Sequence, residues 1–178
     1  MNKTTTAYFA GGCFWCTEAV FQRLKGVSDI VSGYMGGQIK NPAYREICTG
    51  RTGHAEAIRL NYDPSVISYT DLLHVFFATH DPTTLNQQGN DKGTQYRSAI
   101  FYVDEVQKSV AKETIKKLQM TTFDSPIVTE VSAEEPFYFA EEEHQNYYNM
   151  HSEQMYCSYV INPKVAMLKQ AFSHLILK

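Results

Sequence analysis

Tryptophan occurs once and cysteine four times in 178 residues. No apolar run approaches the ~18 residues that a membrane-spanning helix needs, so no membrane association is expected. The opening MNKTTTAYFAGG carries a single lysine and a three-residue apolar run, too little for a secretory signal, and the expected compartment is the cytoplasm. Charge of one sign is also missing: the net charge is −3, and the densest basic stretch, Lys112 to Lys117, includes Glu113 and reads as a solvated helix face. That leaves no footprint for nucleic acid. Internal repeats, low-complexity tracts and interdomain linkers are absent as well. A single domain over 1–178, acting as a monomer, is the expectation. Without a secretion signal, the four cysteines are expected to do chemistry rather than staple a small fold.

What is present is an ordinary globular composition, 43% hydrophobic and 20% charged, rich in tyrosine (12) and phenylalanine (10). TTTAYFA reads as a strand that Gly11-Gly12 turns into a helix from about Phe14 to Leu24, with Gly26 as its stop. VSDIVSGYMGG and TGHAEAIRLNYD read as the second and third strands, the latter closed by Asp63-Pro64. Ser68 opens a helix with Asp71 completing a variant capping box. A long polar loop from Thr79 to Tyr96 follows, of a kind that is often functional. SAIFYVD is a strand, EVQKSVAKETIKKLQM a helix, PIVTEVS a strand, and helices are expected around EEEHQNYYNM and PKVAMLKQAF. This alternation favours an α/β or α+β sandwich with helices against one sheet.

The stretch GGCFWC, residues 11 to 16, concentrates the chemistry. A cysteine immediately before a helix lies near unpaired N–H groups and the positive end of the dipole, which stabilise thiolate and lower the pKa from about 8.5. Cys13 holds that position, with glycines before it that let another molecule approach. Cys16 falls on one face with Val20 and Leu24 and is expected to be mostly buried helix packing. Read as C-x-x-C, the pair also fits a dithiol redox centre of glutaredoxin type. Zinc is a poor fit because no second pair completes a tetrahedral set, and no metal or cofactor is expected.

In GHAEAIRL, alternation puts Glu56 on the same face as Ile58 and Leu60. An ionised carboxylate is costly there, so either a cation such as Arg51 or Arg97 pairs with it, or Glu56 keeps its proton. A protonated Glu near a thiol is a general acid. NPAYREICTG and GNDKGTQYRSAI each place a tyrosine, Tyr44 and Tyr96, at a polar, glycine-bearing loop boundary.

These strings resemble the peptide methionine sulfoxide reductase A family: GGCFW, NPAYREICTG, TGHAEA, HDPTTLNQQGNDKGTQYRSAI, AEEEHQNYY and YC at 156 to 157, in family order over nearly the whole chain. The resemblance implies an α+β two-layer sandwich with a mixed central sheet and a ferredoxin-like core. It implies reduction of the S epimer of methionine sulfoxide, protein-bound or free, with thioredoxin as reductant. Cys13 would be the nucleophile that becomes a sulfenic acid, with Glu56, Tyr44 and Tyr96 as donors to the sulfoxide oxygen. Phe14 and Trp15 would wall a methyl pocket, and Asp91 would order water or the loop. The resolving thiol implied is Cys157, on a mobile C-terminal segment from about 150. The family pattern has Gly where this chain has Cys16, which leaves Cys16 as the alternative. Of two other readings, a glutaredoxin-like oxidoreductase gives no role to GHAE and GTQYRS, and a non-enzymatic sulfoxide- or peptide-binding module would be favoured by loss of Cys13, Glu56 or the tyrosines, all of which are present.

Overall fold

Strand β1 (Thr5–Gly11) is where the core begins, because its residues alternate between two buried faces of a sheet. Ala7 and Phe9 point to one side, Tyr8 and Ala10 to the other. The computed structural model describes residues 3–178. After β1 come α1 (Phe14–Phe21), β2 (Val27–Met35), a single turn α2 (Tyr44–Ile47), β3 (Ala55–Tyr62) and α3 (Tyr69–Ala78). Two-residue strands β4 (Gln87–Gln88) and β5 (Asp91–Lys92) form a separate small hairpin. Then follow β6 (Ser98–Tyr102), α4 (Glu105–Thr121), β7 (Glu130–Ala133), β8 (Tyr138–Phe139), α5 (Tyr147–Met150) and α6 (Asn162–Ala171).

Six strands form one sheet in the order β7-β6-β1-β3-β2-β8. Every pairing is antiparallel except β6 with β7, which are parallel and joined through α4. The fold is therefore α+β with a mixed central sheet, as expected. Phe9, Ile58, Leu60 and Ile100 pack with Phe21, Leu72 and Phe76 from the helices on one face. Smaller residues, Ala10, Ala55, Ala57 and Ala99, line much of the other face, where Phe137 packs against them. No helix among the described residues is long and apolar enough to cross a membrane.

Local chemistry explains most element ends. Ser68 accepts the Asp71 N–H at 3.0 Å while the Asp71 carboxylate accepts the Ser68 N–H at 3.3 Å, so the expected capping box opens α3. Asp104 caps α4 by accepting the Gln107 N–H at 2.8 Å.

Three expectations are corrected. Helix α1 stops at Phe21 rather than Leu24, because residues 23–25 pair with the C-terminal backbone: Lys25 N–H donates to the Leu175 carbonyl and Leu177 N–H to the Arg23 carbonyl. The helix expected around EEEHQNYYNM is split into a 3₁₀ turn, Glu142–His144, and the short α5. Gln145 is extended between them and Asn146 is left-handed at φ 56°, because the Gln145 amide hydrogen-bonds both backbone groups of Ser32. The Thr79 to Tyr96 loop contains the β4–β5 hairpin and a 3₁₀ turn, Thr94–Tyr96.

The β1–α1 corner demands glycine. Gly12 has φ +95°, and a Cβ there would lie 2.6 Å from the Gln88 side chain. Gly12→Ala is therefore expected to lower the unfolding free energy by about 1–3 kcal/mol. Urea denaturation measures this, and an unchanged midpoint would contradict the argument.

Candidate active site

The corner that needs Gly12 delivers Cys13 as the N-cap of α1, 8% exposed and with φ −58°, ψ 127°. Across from it, β3 carries Glu56, opposite Tyr34 in register and only 2% exposed. The Phe14 N–H, one of the helix's unpaired donors, points at the Glu56 carboxyl at 3.2 Å. No cation pairs with Glu56 among the described residues. Arg97 instead donates to the Gly53 and Thr94 carbonyls and meets Glu130 at 3.5 Å. Burial pushes Glu56 up to about 8, against the pull of the Phe14 N–H. Of the two readings of GHAE, the structure supports the carboxyl that keeps its proton at neutral pH.

The thiols depart from expectation. Burial pushes Cys13 well above the usual thiol range, and its hydrogen bond to the Cys16 sulfur and the nearby Glu56 add to this, while the Trp15 backbone N–H acts the other way. Cys16 is lowered to about 7, chiefly by the hydrogen bond from the Cys13 thiol. The helix N-terminus favours thiolate at Cys13 as argued. Its first N–H, however, is committed to Glu56, and Cys13 is largely buried.

Tyr44 opens α2, and two anchors fix it there. His54 Nδ1 accepts the Gly37 N–H at 3.0 Å while its Nε2 donates to the Ile39 carbonyl at 2.6 Å, holding the loop that leads to α2. Glu141 accepts from the Tyr44 N–H and from the Tyr34 hydroxyl, both at 3.2 Å. Tyr96 comes from the 3₁₀ turn after the small hairpin. Burial, with Glu56 close by, pushes both phenols up, so they remain O–H donors. Cys13, Phe14, Trp15, Tyr44, Glu56, Asp91 and Tyr96 line one cavity of about 170 Å³. The Tyr147 ring lies flat on Trp15 at 3.7 Å and 6°, which stiffens that aromatic wall. Such a pocket offers an apolar slot, a thiol floor and three O–H donors.

A sequence model described as peptide methionine sulfoxide reductase matches residues 5–175. The chain belongs to that family. It is 53% identical over 171 residues to the peptide methionine sulfoxide reductase MsrA of Chromobacterium violaceum, covering 96% of this chain and 97% of that relative. Among solved structures it is similar to Mxr1 from Saccharomyces cerevisiae in reduced form, with TM-score 0.80 and 33% identity over 87% of this chain and 90% of that one. It also resembles the structure of Mxr1 in complex with Trx2, with TM-score 0.57 and 25% identity over 82% and 85% of the two chains.

Cys157 stands apart from the other reductase-motif residues. It is fully buried in the main core, in a π-helical turn Cys157–Ile161, and it does not line the cavity. Cys48 is exposed at the end of α2, next to the Tyr44 side chain. Sequence reasoning missed Tyr156, which lines the cavity, donates to Asp91 at 2.8 Å and sits 3.7 Å from the Cys16 sulfur. It also missed Glu18, 1% exposed, which accepts from the Ser32 hydroxyl at 3.1 Å and the Tyr147 N–H at 3.2 Å. The one available signal for Glu18 was a carboxylate on the buried side of an otherwise apolar helix.

Glu18 ties Tyr147 to α1 and so holds it over Trp15. Glu18→Ala leaves those buried donors unpaired, and a loss of about 1–3 kcal/mol is expected. Emission from Trp15, the only tryptophan, should shift toward that of a solvated indole. Unaltered emission would mean that the stacking does not depend on Glu18.

Proposed function

We propose that this cavity seats the methyl-sulfinyl end of methionine sulfoxide and that Cys13 reduces it to methionine. The observation that supports this most is the convergence of a thiol, a protonated Glu56 and two tyrosine hydroxyls on a small aromatic-walled space. A sulfoxide sulfur becomes electrophilic when its oxygen is protonated or strongly hydrogen-bonded. Glu56 donates the proton, and Tyr44 and Tyr96 hydrogen-bond the oxygen as charge builds on it. Trp15 and Phe14 hold the methyl group, which orients sulfur toward Cys13. The Cys13 sulfur attacks, oxygen passes to it, and methionine leaves. Sulfoxide sulfur gains two electrons and Cys13 loses two, ending as sulfenic acid.

Burial raises the Cys13 thiol, and the neighbouring Cys16, lowered to about 7, is the acceptor for its proton as Cys13 attacks. An intramolecular disulfide then removes the sulfenate, and thioredoxin reduces it. The S epimer is the expected substrate, and the cytoplasm, where thioredoxin is held reduced, is the expected setting. Each epimer of a methionine sulfoxide peptide, incubated with thioredoxin or dithiothreitol, tests the reading. Methionine is expected from the S epimer only, and none from either epimer would overturn the assignment.

Two variants test the roles. Glu56→Gln removes the acid and keeps the volume, and single-turnover sulfenate formation should slow by ~10²–10⁴-fold. In the wild type that rate should fall as pH rises through about 8, because the raised Glu56 then loses its proton, and the glutamine variant should lack this fall. An unchanged single-turnover rate would make Glu56 purely structural. Trp15→Ala should weaken transition-state binding of small sulfoxides by about 1–3 kcal/mol, read from kcat/KM. Equal kinetics would mean that Trp15 only packs the core.

A further inference from the structure

The small pocket does not stand alone. Its residues Cys13, Asp91 and Tyr156 also line a wider cavity of about 500 Å³, which shares Gln88, Pro163 and Lys164 with a third of about 780 Å³. The three follow one another from the aromatic slot to the C-terminal end of α3. Hydrogen bonds within the chain hold the walls. The Gln88 Oε1 accepts the Asp81 N–H and its Nε2 donates to the Asp81 carbonyl, both at 3.0 Å. Pro163 stands in the first turn of α6.

We propose that the two larger cavities form the groove for the polypeptide that carries the methionine sulfoxide, and that the groove reads flanking charge, an acidic side chain near the sulfoxide and a basic one farther along. This rests on the reductase reading of the small pocket. Lys164 lies half-buried between the two cavities, and among the described residues it makes no ion pair. Asp91, nearer the sulfoxide, already accepts the Tyr156 hydroxyl at 2.8 Å. Lys164 is therefore the cation free to meet an acidic side chain in the middle of the groove.

The far cavity has the opposite sign. Asp81 and Asp124 line it. Asp81 accepts the Thr83 N–H at 2.9 Å and keeps its charge, while Asp124 makes no ion pair among the described residues. His80 adds no charge there, because both ring nitrogens are hydrogen-bonded, to the Phe76 carbonyl and the Ser98 hydroxyl, and burial lowers it to about 4. Phe77, Phe123 and Met167 supply apolar surface for the stem of a lysine or arginine whose head reaches the carboxylates. Tyr159, 75% exposed beside the middle cavity, offers an aromatic edge to the chain. An extended chain advances about 3.3 Å per residue and turns alternate side chains toward such a trough. A free amino acid occupies the small pocket alone and meets neither charge.

The test is single-turnover release of methionine by the pre-reduced full chain, at low salt and without external reductant. Substrates are N-acetylmethionine S-sulfoxide amide and peptides that extend it on the N-terminal or the C-terminal side, with one glutamate and one lysine in either order. In one direction of extension, the peptide with glutamate nearer the sulfoxide is expected to react about three- to thirtyfold faster than its swapped isomer, as two partly exposed charge pairs allow. Salt at about 0.5 M should remove most of that difference. Rates are taken relative to the short amide, so that a general loss of activity cancels. On that scale Asp124→Asn should shrink the preference, and Lys164→Glu/Asp124→Lys should reverse it. Equal rates for the two orders in both directions of extension, or a preference that these variants leave unchanged, would overturn the groove. Variants that leave the peptide rates alone and raise only the KM for thioredoxin would assign the surface to the reductant and overturn it as well. No methionine from the short amide would instead overturn the reductase reading.

Discussion

A carboxyl group sealed from water against the first turn of a helix is the constraint on which the site depends. Glu56 projects from a central strand into the face that also holds Ile58 and Leu60, and it meets the Phe14 N–H instead of a cation. One hydrogen bond to a backbone amide cannot repay the transfer of a full charge into that environment, so the group stays neutral. Neutrality makes it a donor at the pH of the cell. The same contact locks the start of α1 to β3 and thereby fixes where Cys13 stands. A cation near Glu56 would have stabilised the fold at that point and removed its acid.

Around this centre the supporting contacts come from far along the chain. Glu18 fixes Tyr147, which stacks on Trp15, while Glu141 fixes Tyr44 and Tyr34 together. Gln145 gives up a helical conformation to bind the backbone of Ser32. Residues 141 to 147 therefore act as a clamp that shapes the small pocket, and residues 156 to 164 shape the cavity beside it. Polar groups buried in this way rigidify a pocket only when their partners are all in place.

Much of this was legible in the sequence. Glycines before a Cys and an aromatic pair marked the corner, and strand alternation alone put Glu56 on the apolar face. The mixed sheet followed from the alternation of elements together with the family resemblance. Contacts across more than a hundred residues were not legible, which is why Tyr156, Glu18 and Glu141 gained roles only in three dimensions. The break at Gln145 was hidden for the same reason: its local pattern is helical, and a tertiary hydrogen bond overrides it. For Cys13, the helix N-terminus argued for a lowered thiol, and burial, invisible to a local reading, outweighed it. The Cys16, Val20, Leu24 stripe proved buried, yet burial did not exhaust what Cys16 touches.

The protonation state of Glu56 carries the account, and it can be read directly by following the side-chain carboxyl carbons of ¹³C-labelled glutamate by NMR across pH, with Glu56→Gln used to assign the resonance. The account predicts a carboxyl that remains protonated at neutral pH and titrates near the value of about 8 that its burial imposes. A Glu56 resonance that titrates near the ordinary glutamate value of about 4.3 would contradict it.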